Sequence, residues 1–191
     1  MLKNKSLIYK TLLCTGFFVI ILISTLFYKN NLSKEGIYNN VLNYDGYKIY
    51  EVQKPVNFTA SIEPTWIPKN KNEVIELNKE IAKVGNVEIL LENIMHRGND
   101  IYFNFDANQF INYDSGEFLY NYILNEDGTA TSYNLSNSFN IYDNNKTLID
   151  VGQRGLGPNS KIYFGINIEI MVLLQMALPL YIMVQYYMGI H

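Results

Sequence analysis

The chain has 191 residues, 15 Lys+Arg against 18 Asp+Glu, a formal net charge of −3, one cysteine and two histidines. An acidic balance repels phosphate backbones and argues against nucleic-acid binding, and a lone cysteine excludes an internal disulfide framework. Two histidines, His96 and His191, are too few for a histidine-rich zinc site or a histidine-based triad.

Lys3, Lys5 and Lys10 precede an unbroken apolar run from Thr11 to Tyr28, and Lys29 closes it. Eighteen helical residues reach about 27 Å, close to the hydrocarbon thickness of a bilayer. The reading is a cytoplasmic segment over 1–10 and a transmembrane anchor over 11–28, with membrane lipid as its partner. A cleaved signal peptide is the rival, but only Ile23-Ser24-Thr25 approaches the small-residue cleavage pattern. Cys14 lies inside the run without the flanks of a lipidation site, and the position where a pilin-type helix needs a glutamate holds Ile20-Ile21. All eighteen acids and eleven of the fifteen bases fall between residues 31 and 169, so that stretch carries a formal −7. Basic flanks inside and an acidic body outside follow the positive-inside bias.

Residues 29–43 read as a polar stalk. The body, 44–169, is the size of one domain, rich in asparagine and tyrosine, which suit turns and strand surfaces. Tyr47–Val52 and Val56–Ile62 alternate as strands, and Pro64, Trp66 and Pro68 mark a connection. Residues 74–84 fit either period: Val74, Leu77, Ile81 and Val84 have helical spacing, while the strand-rich surroundings favour a strand.

Val87–Met95 predicts a strand, His96–Asn99 a solvated turn, and Ile101–Phe105 a strand with Ile101, Phe103 and Phe105 on one side and Tyr102 and Asn104 on the other. Phe118–Leu124 predicts a strand ended by the Asn125–Gly128 turn. Phe139–Tyr142 and Leu148–Val151 form a hairpin around residues 143–146, and the Gly155–Ser160 loop leads to a strand at Lys161–Ile166. Short strands with turns every eight to twelve residues indicate a sandwich or barrel.

The stretches VGNVEILLENI, FNIYDNNKTLIDV and GLGPNSKIYFGI resemble the immunoglobulin-like ectodomains of small membrane-anchored proteins of low-GC Gram-positive bacteria. The resemblance covers under half of the chain and carries no catalytic motif. It implies a mainly β fold, an immunoglobulin-like antiparallel β-sandwich behind an N-terminal transmembrane helix, and a binding or signalling role.

Residues 170–191 contain no asparagine and no Asp, Glu, Lys or Arg, but four of the six methionines. They read either as a second membrane helix kinked at Pro179, or as a frameshifted final strand. The second reading arises because each tail methionine precedes a residue whose codon begins with G, so a one-base shift spells glycine four times.

No catalytic residue, cofactor or metal ligand is assigned. Asn104, Asp106 and Asn108, and likewise Asp143 to Asn145, lack the late glutamate of a calcium loop. The sequence Gly155-Leu156-Gly157-Pro158 lacks the lysine and helix of a phosphate loop. Tyr113, Tyr120, Tyr122 and Tyr133 form a candidate binding surface for a sugar or protein. The expected function is a non-catalytic extracytoplasmic binding or sensing module with an unknown protein or cell-wall partner. The alternative is a cell-envelope hydrolase in which several of Asp106, Asp114, Glu117 and Asp127 converge.

Overall fold

The computed structural model describes residues 2–43, 45–53, 56–125, 127, 129–132, 141–142, 147–157, 159–173, 178–184 and 186–190. The chain divides into two compact units, Met1–Tyr47 and Lys48–His191.

In the first unit, α1 runs over Leu2–Phe27 and passes into a π-helical turn at Tyr28–Leu32. Within Lys10–Leu32 an 18-residue window has a mean hydropathy of 2.2, and none of that window is buried. Leu12, Leu13, Phe17, Phe18 and Ile20 are all more than 60% exposed, so the helix offers no polar face to water. Thr15 and Thr25 donate their hydroxyls to the carbonyls of Thr11 and Ile21, both at 2.8 Å. Satisfying a hydroxyl within the helix is what a hydrocarbon surrounding demands. It is the one helix among the described residues long and apolar enough to cross a membrane. The stretch read as a stalk is helical: α2 spans Lys34–Leu42, and the Ser33 hydroxyl caps it by accepting from Gly36 N at 3.1 Å.

The second unit is mainly β and antiparallel. The strands in chain order are β1 (Ile49–Gln53), β2 (Val56–Ile62), β3 (Val74–Val84), β4 (Val87–Arg97), β5 (Asp100–Asn108), β6 (Phe110–Ile111), β7 (Gly116–Tyr120) and β8 (Tyr122–Leu124). They continue with β9 (Ala130–Ser132), β10 (Ile141–Tyr142), β11 (Leu148–Ile149), β12 (Arg154–Leu156) and β13 (Ile162–Asn167). The helix α3 (Ile168–Leu173) and strands β14 (Leu178–Val184) and β15 (Tyr186–Ile190) complete it. One sheet has the order β12-β13-β5-β4-β3 and another β1-β15-β7-β6, with the pairs β14-β2, β10-β11 and β8-β9 beside them.

The arrangement is sandwich-like because the five-stranded sheet buries one face. Ile101, Phe103 and Phe105 of β5, with Ile162, Phe164 and Ile166 of β13, alternate inward. Phe58, Ala60 and Ile62 of β2, Leu119 of β7, Ile141 and Ile149 close over them.

Several elements depart from the sequence reading. Residues 74–84 form β3, an edge strand carrying extra residues between Glu76 and Lys79 and between Glu80 and Ala82. Asn78, at φ +47, takes the left-handed backbone at the first of these bulges. Bulges and charges on a long edge suppress pairing with other chains.

His96 is not a solvated turn residue. The strand β4 continues to Arg97, only Gly98 and Asn99 turn, and His96 is 7% exposed opposite Ile101. Its backbone accepts from Asn72 N and donates to Glu73 O, and its Nδ1 has no hydrogen-bond partner. The reason is an extra residue, Glu92, between Leu91 and Asn93, which shifts the buried positions from 87, 89 and 91 to 94 and 96.

The strand read over Phe118–Leu124 is two strands in different sheets. Asn121 is fully buried between them, its N–H donating to Asn159 O rather than to a ladder.

The tail does not form a second membrane helix. After α3, β14 pairs with β2 from Leu178↔Ile62 to Val184↔Val56, and β15 lies between β1 and β7. Pro179 opposes helix continuation, and a run of Tyr, Ile and Val favours strands; the residues as they stand complete the sheets. The pairing Ile141↔Ile149 joins the two arms of the hairpin read around 143–146, while that turn itself lies outside the described residues.

Phe103 is fully buried, with ring centroids 5.2 Å from Phe164 and 6.5 Å from Phe105. Phe103→Ala is expected to cost about 3–5 kcal/mol, whereas Leu148→Ala, at a position 60% exposed, changes stability by less than about 0.5 kcal/mol. Denaturant unfolding of the two variants measures the difference.

Candidate functional site

Because β5 and β13 turn their apolar residues inward, their alternate residues line the opposite face of the five-stranded sheet. The register places Asn104 beside Tyr163, Tyr102 beside Gly165, and Asp100 beside Asn167. Asn104 is joined on its other side by Asn93, whose Oδ1 accepts from Asn104 Nδ2 at 2.6 Å. The rings of Tyr102 and Tyr163 lie 5.7 Å apart at 35°.

Arg97 anchors one end of this face. Its Nε and Nη2 donate to the two Asp100 carboxylate oxygens at 3.3 and 2.8 Å, and Nη2 also donates to Gln153 Oε1 at 2.9 Å. The guanidinium carbon sits 3.7 Å from the centroid of the Tyr102 ring. A fork bonded to a carboxylate and laid on an aromatic ring is held in one orientation. Its hydrogen bonds to the Asp100 carboxylate raise the Arg97 pKa despite burial. Burial raises the Tyr102 phenol, with the Arg97 charge opposing it.

Glycines shape the surface between these side chains. A Cβ on Gly155 would collide with the Tyr163 ring, and one on Gly165 would lie 2.6 Å from Asp100 Oδ2. Beside Gly165 a depression of about 560 Å³ opens, walled by Arg97, Asn99, Asp100 and Asn167 and floored by Gly152 and Gly165.

A polar network closes the other end. Lys161 Nζ donates to both Glu92 oxygens at 3.1 Å and lies 3.6 Å from Asp106 Oδ2. Burial pulls the ammonium pKa down, but the bonds and charges of Glu92 and Asp106 outweigh it and leave it raised. The buried Ser160 hydroxyl donates to Asp106 Oδ1 at 2.6 Å and accepts from Gln109 Nε2 at 3.0 Å. Asn121 Nδ2 donates to Lys161 O at 2.8 Å and Gly157 O at 3.3 Å. This network fixes the approach to β13, and with it the positions of Tyr163 and Gly165.

The residues named from sequence are dispersed. Tyr120 and Tyr122 meet edge to face at 5.6 Å, and burial first, then Tyr122, raises the Tyr120 phenol. Tyr113 is exposed in the turn before β7, while Tyr120 stands at the far end of that strand, and Tyr133 lies outside the described residues. The four carboxylates have separate partners: Asp106 with Ser160 and Lys161, Asp114 with Ser115, Glu117 with Asn86 N, and Asp127 with Thr129. The last two bonds, from the Thr129 hydroxyl and N–H, lower the Asp127 pKa. Asn104 and Asn108 bond to Asn93 and Glu88 rather than sharing an ion site with Asp106. Among the described residues no three His, Cys, Asp or Glu side chains gather as metal ligands. The sequence reading did not select Tyr102, Tyr163, Arg97 or the glycines. Their signal was parity: Tyr102 and Tyr163 alternate with the core phenylalanines in IYFNF and IYFG.

Asn121→Ala strips the side-chain donor from two carbonyls in a buried setting and is expected to cost about 1–3 kcal/mol, read by denaturant unfolding. Tyr102 holds its proton above the ordinary 10.0. Its contribution to stability is therefore full below that pH and lost as pH rises through the folded-state pKa. Tyr102→Phe should flatten the alkaline fall in melting temperature above about pH 10. Comparison with family models, curated proteins and solved structures returns no match.

Proposed function

We propose that the chain is a membrane-anchored extracytoplasmic module that binds or senses a ligand on the outer face of its five-stranded sheet, without catalysis. The carrying observation is the apolar window within Lys10–Leu32, none of which is buried. Exposure of that much apolar side chain is unfavourable in water and favourable in lipid. The lysines before it and the formal −7 of residues 31–169 support an N-terminus inside and a body outside. The antiparallel sandwich-like body is compatible with the immunoglobulin-like class, whose members are mostly binding or signalling modules.

A non-catalytic role is supported by how the acids are used. Glu92 and Asp106 reach the same Lys161 ammonium, an arrangement suited to two anions. Glycoside hydrolysis instead needs one carboxyl protonated and a clear path for water between the pair. Asp114, Glu117 and Asp127 serve turns and backbone groups.

Proteolysis of intact cells is expected to digest the body while sparing the anchor, and alkaline carbonate washing should leave the full chain in the membrane. Replacing both Ile20 and Ile21 by lysine costs about 5–7 kcal/mol of insertion and should move the chain to the soluble fraction. A wild-type chain resistant to external protease, or recovered as a soluble species, overturns the reading.

A further inference from the structure

We infer that the depression beside Gly165 is a binding site for a neutral saccharide, with Arg97, Asp100, Asn99 and Asn167 supplying its hydrogen bonds. The inference names the ligand class for the binding face proposed above, but the site itself depends only on the body's geometry.

The charges on the walls cancel. Asp100 takes both Nε and Nη2 of Arg97, so neither group offers an unmatched charge to an ionic ligand. Paired in this way they still present a donor next to an acceptor. The Nη1 group of Arg97 makes no hydrogen bond among the described residues, which leaves two N–H donors free on a fixed plane. Asn167 Oδ1 accepts from Glu169 N at 2.8 Å, so its amide nitrogen is the end left for a ligand. Asn99, exposed in the β4–β5 turn, adds an amide that both donates and accepts. Adjacent donors and acceptors without net charge match neighbouring hydroxyls on a sugar ring.

The shape agrees with this chemistry. A volume of about 560 Å³ falls within the range of small-ligand sites. The floor is backbone at Gly165 of β13 and at Gly152 in the segment before β12, joined by Gly152 N to Gly165 O at 3.0 Å and Gly165 N to Gln153 O at 2.7 Å. With these N–H groups already used, the floor does not offer the row of unpaired backbone groups on which an extended peptide adds as a strand.

Gly152 provides a variant that blocks the site without disturbing the fold. A Cβ there meets nothing closer than Gly165 O at 3.7 Å, an ordinary contact, so a leucine side chain enters the open depression. The experiment uses the full chain in phosphocholine micelles, since detergents with sugar headgroups would compete. The probes are maltotriose, cellotriose, mannotriose and tri-N-acetylglucosamine, with trigalacturonate and triglycine as controls. Amide NMR signals of Gly98, Gly152 and Gly165 report binding.

At least one neutral trisaccharide should shift these signals saturably, with an affinity that added salt leaves unchanged. Gly152→Leu should weaken that binding tenfold or more with amide dispersion and melting temperature preserved, and Asn99→Ala should weaken it severalfold. The inference fails if no neutral trisaccharide binds, if only trigalacturonate binds and salt removes it, if triglycine binds in its place, or if Gly152→Leu binds as well as wild type. External proteolysis of cells scores the anchored, extracytoplasmic reading separately. A chain that binds sugar but is not shaved loses only that topology, and a shaved chain that binds no sugar loses only the saccharide site.

Discussion

Phe103, Phe105 and Phe164 pack ring against ring, with centroids 5.2–6.5 Å apart, and the rest of the body is arranged around keeping them from water. Strand geometry allows β5 and β13 to bury only every second residue. Committing the three phenylalanines, Ile101, Ile162 and Ile166 to the core therefore assigns Tyr102, Asn104, Tyr163 and Gly165 to the other face without further choice. A one-residue slip of β13 on β5 would exchange the two sets. The hydrogen bond of Asn121 to Lys161 O and the Ser160–Asp106 bond hold the entry of β13, and so oppose that slip. The polar network and the aromatic core are thus two parts of one register constraint.

Bulges set where this constraint stops. The extra residue at Glu92 turns its carboxylate toward Lys161 and reverses the parity of β4 beyond it. Ile94 and His96 then face inward while Arg97 emerges on the outer face beside Tyr102. Without the bulge, Arg97 would share the side of Leu91. A carboxylate for Lys161 and a guanidinium for the depression therefore come from the same irregularity. It also places an imidazole in the interior with Nδ1 unpaired, at a cost of roughly 1–3 kcal/mol for an unsatisfied buried group.

These features explain what the residues revealed by themselves. The apolar run at 11–28, the period-two pattern of Ile101–Phe105, the strand at 56–62 and the pairing around 143–146 depend on neighbours in sequence, and they were legible. His96 was misplaced because a one-residue bulge has no composition signature; the parity of β4 is altered by how β5 pairs with it. The break at Asn121 was hidden for a similar reason, since the donors and acceptors that replace the ladder come from residues 157–161. The membrane-helix alternative for the tail arose because Ile170–Ile190 is apolar enough for a membrane, whereas the described residues 178–184 and 186–190 pair as strands with 49–62 and 116–120. The tyrosines chosen from sequence lie on or near predicted strands, and position along the chain alone does not say which of them share a face. The cluster on the sheet needs cross-strand register before Tyr102, Tyr163 and Arg97 can be seen as neighbours.

The glycines of the outer face differ in what requires them. Glycine within an element costs about 0.5–1 kcal/mol relative to alanine, and a strand gains nothing from one unless the space is needed. At Gly155 the space is taken by the Tyr163 ring, and at Gly165 by the Asp100 carboxylate that holds Arg97. Both are thus accounted for by packing. Gly152 is different: its Cβ position is open, its backbone lies outside the left-handed region, and no neighbour requires it to be bare. Packing therefore tolerates a larger residue at 152, and the openness of that position is the feature on which the proposed binding site depends.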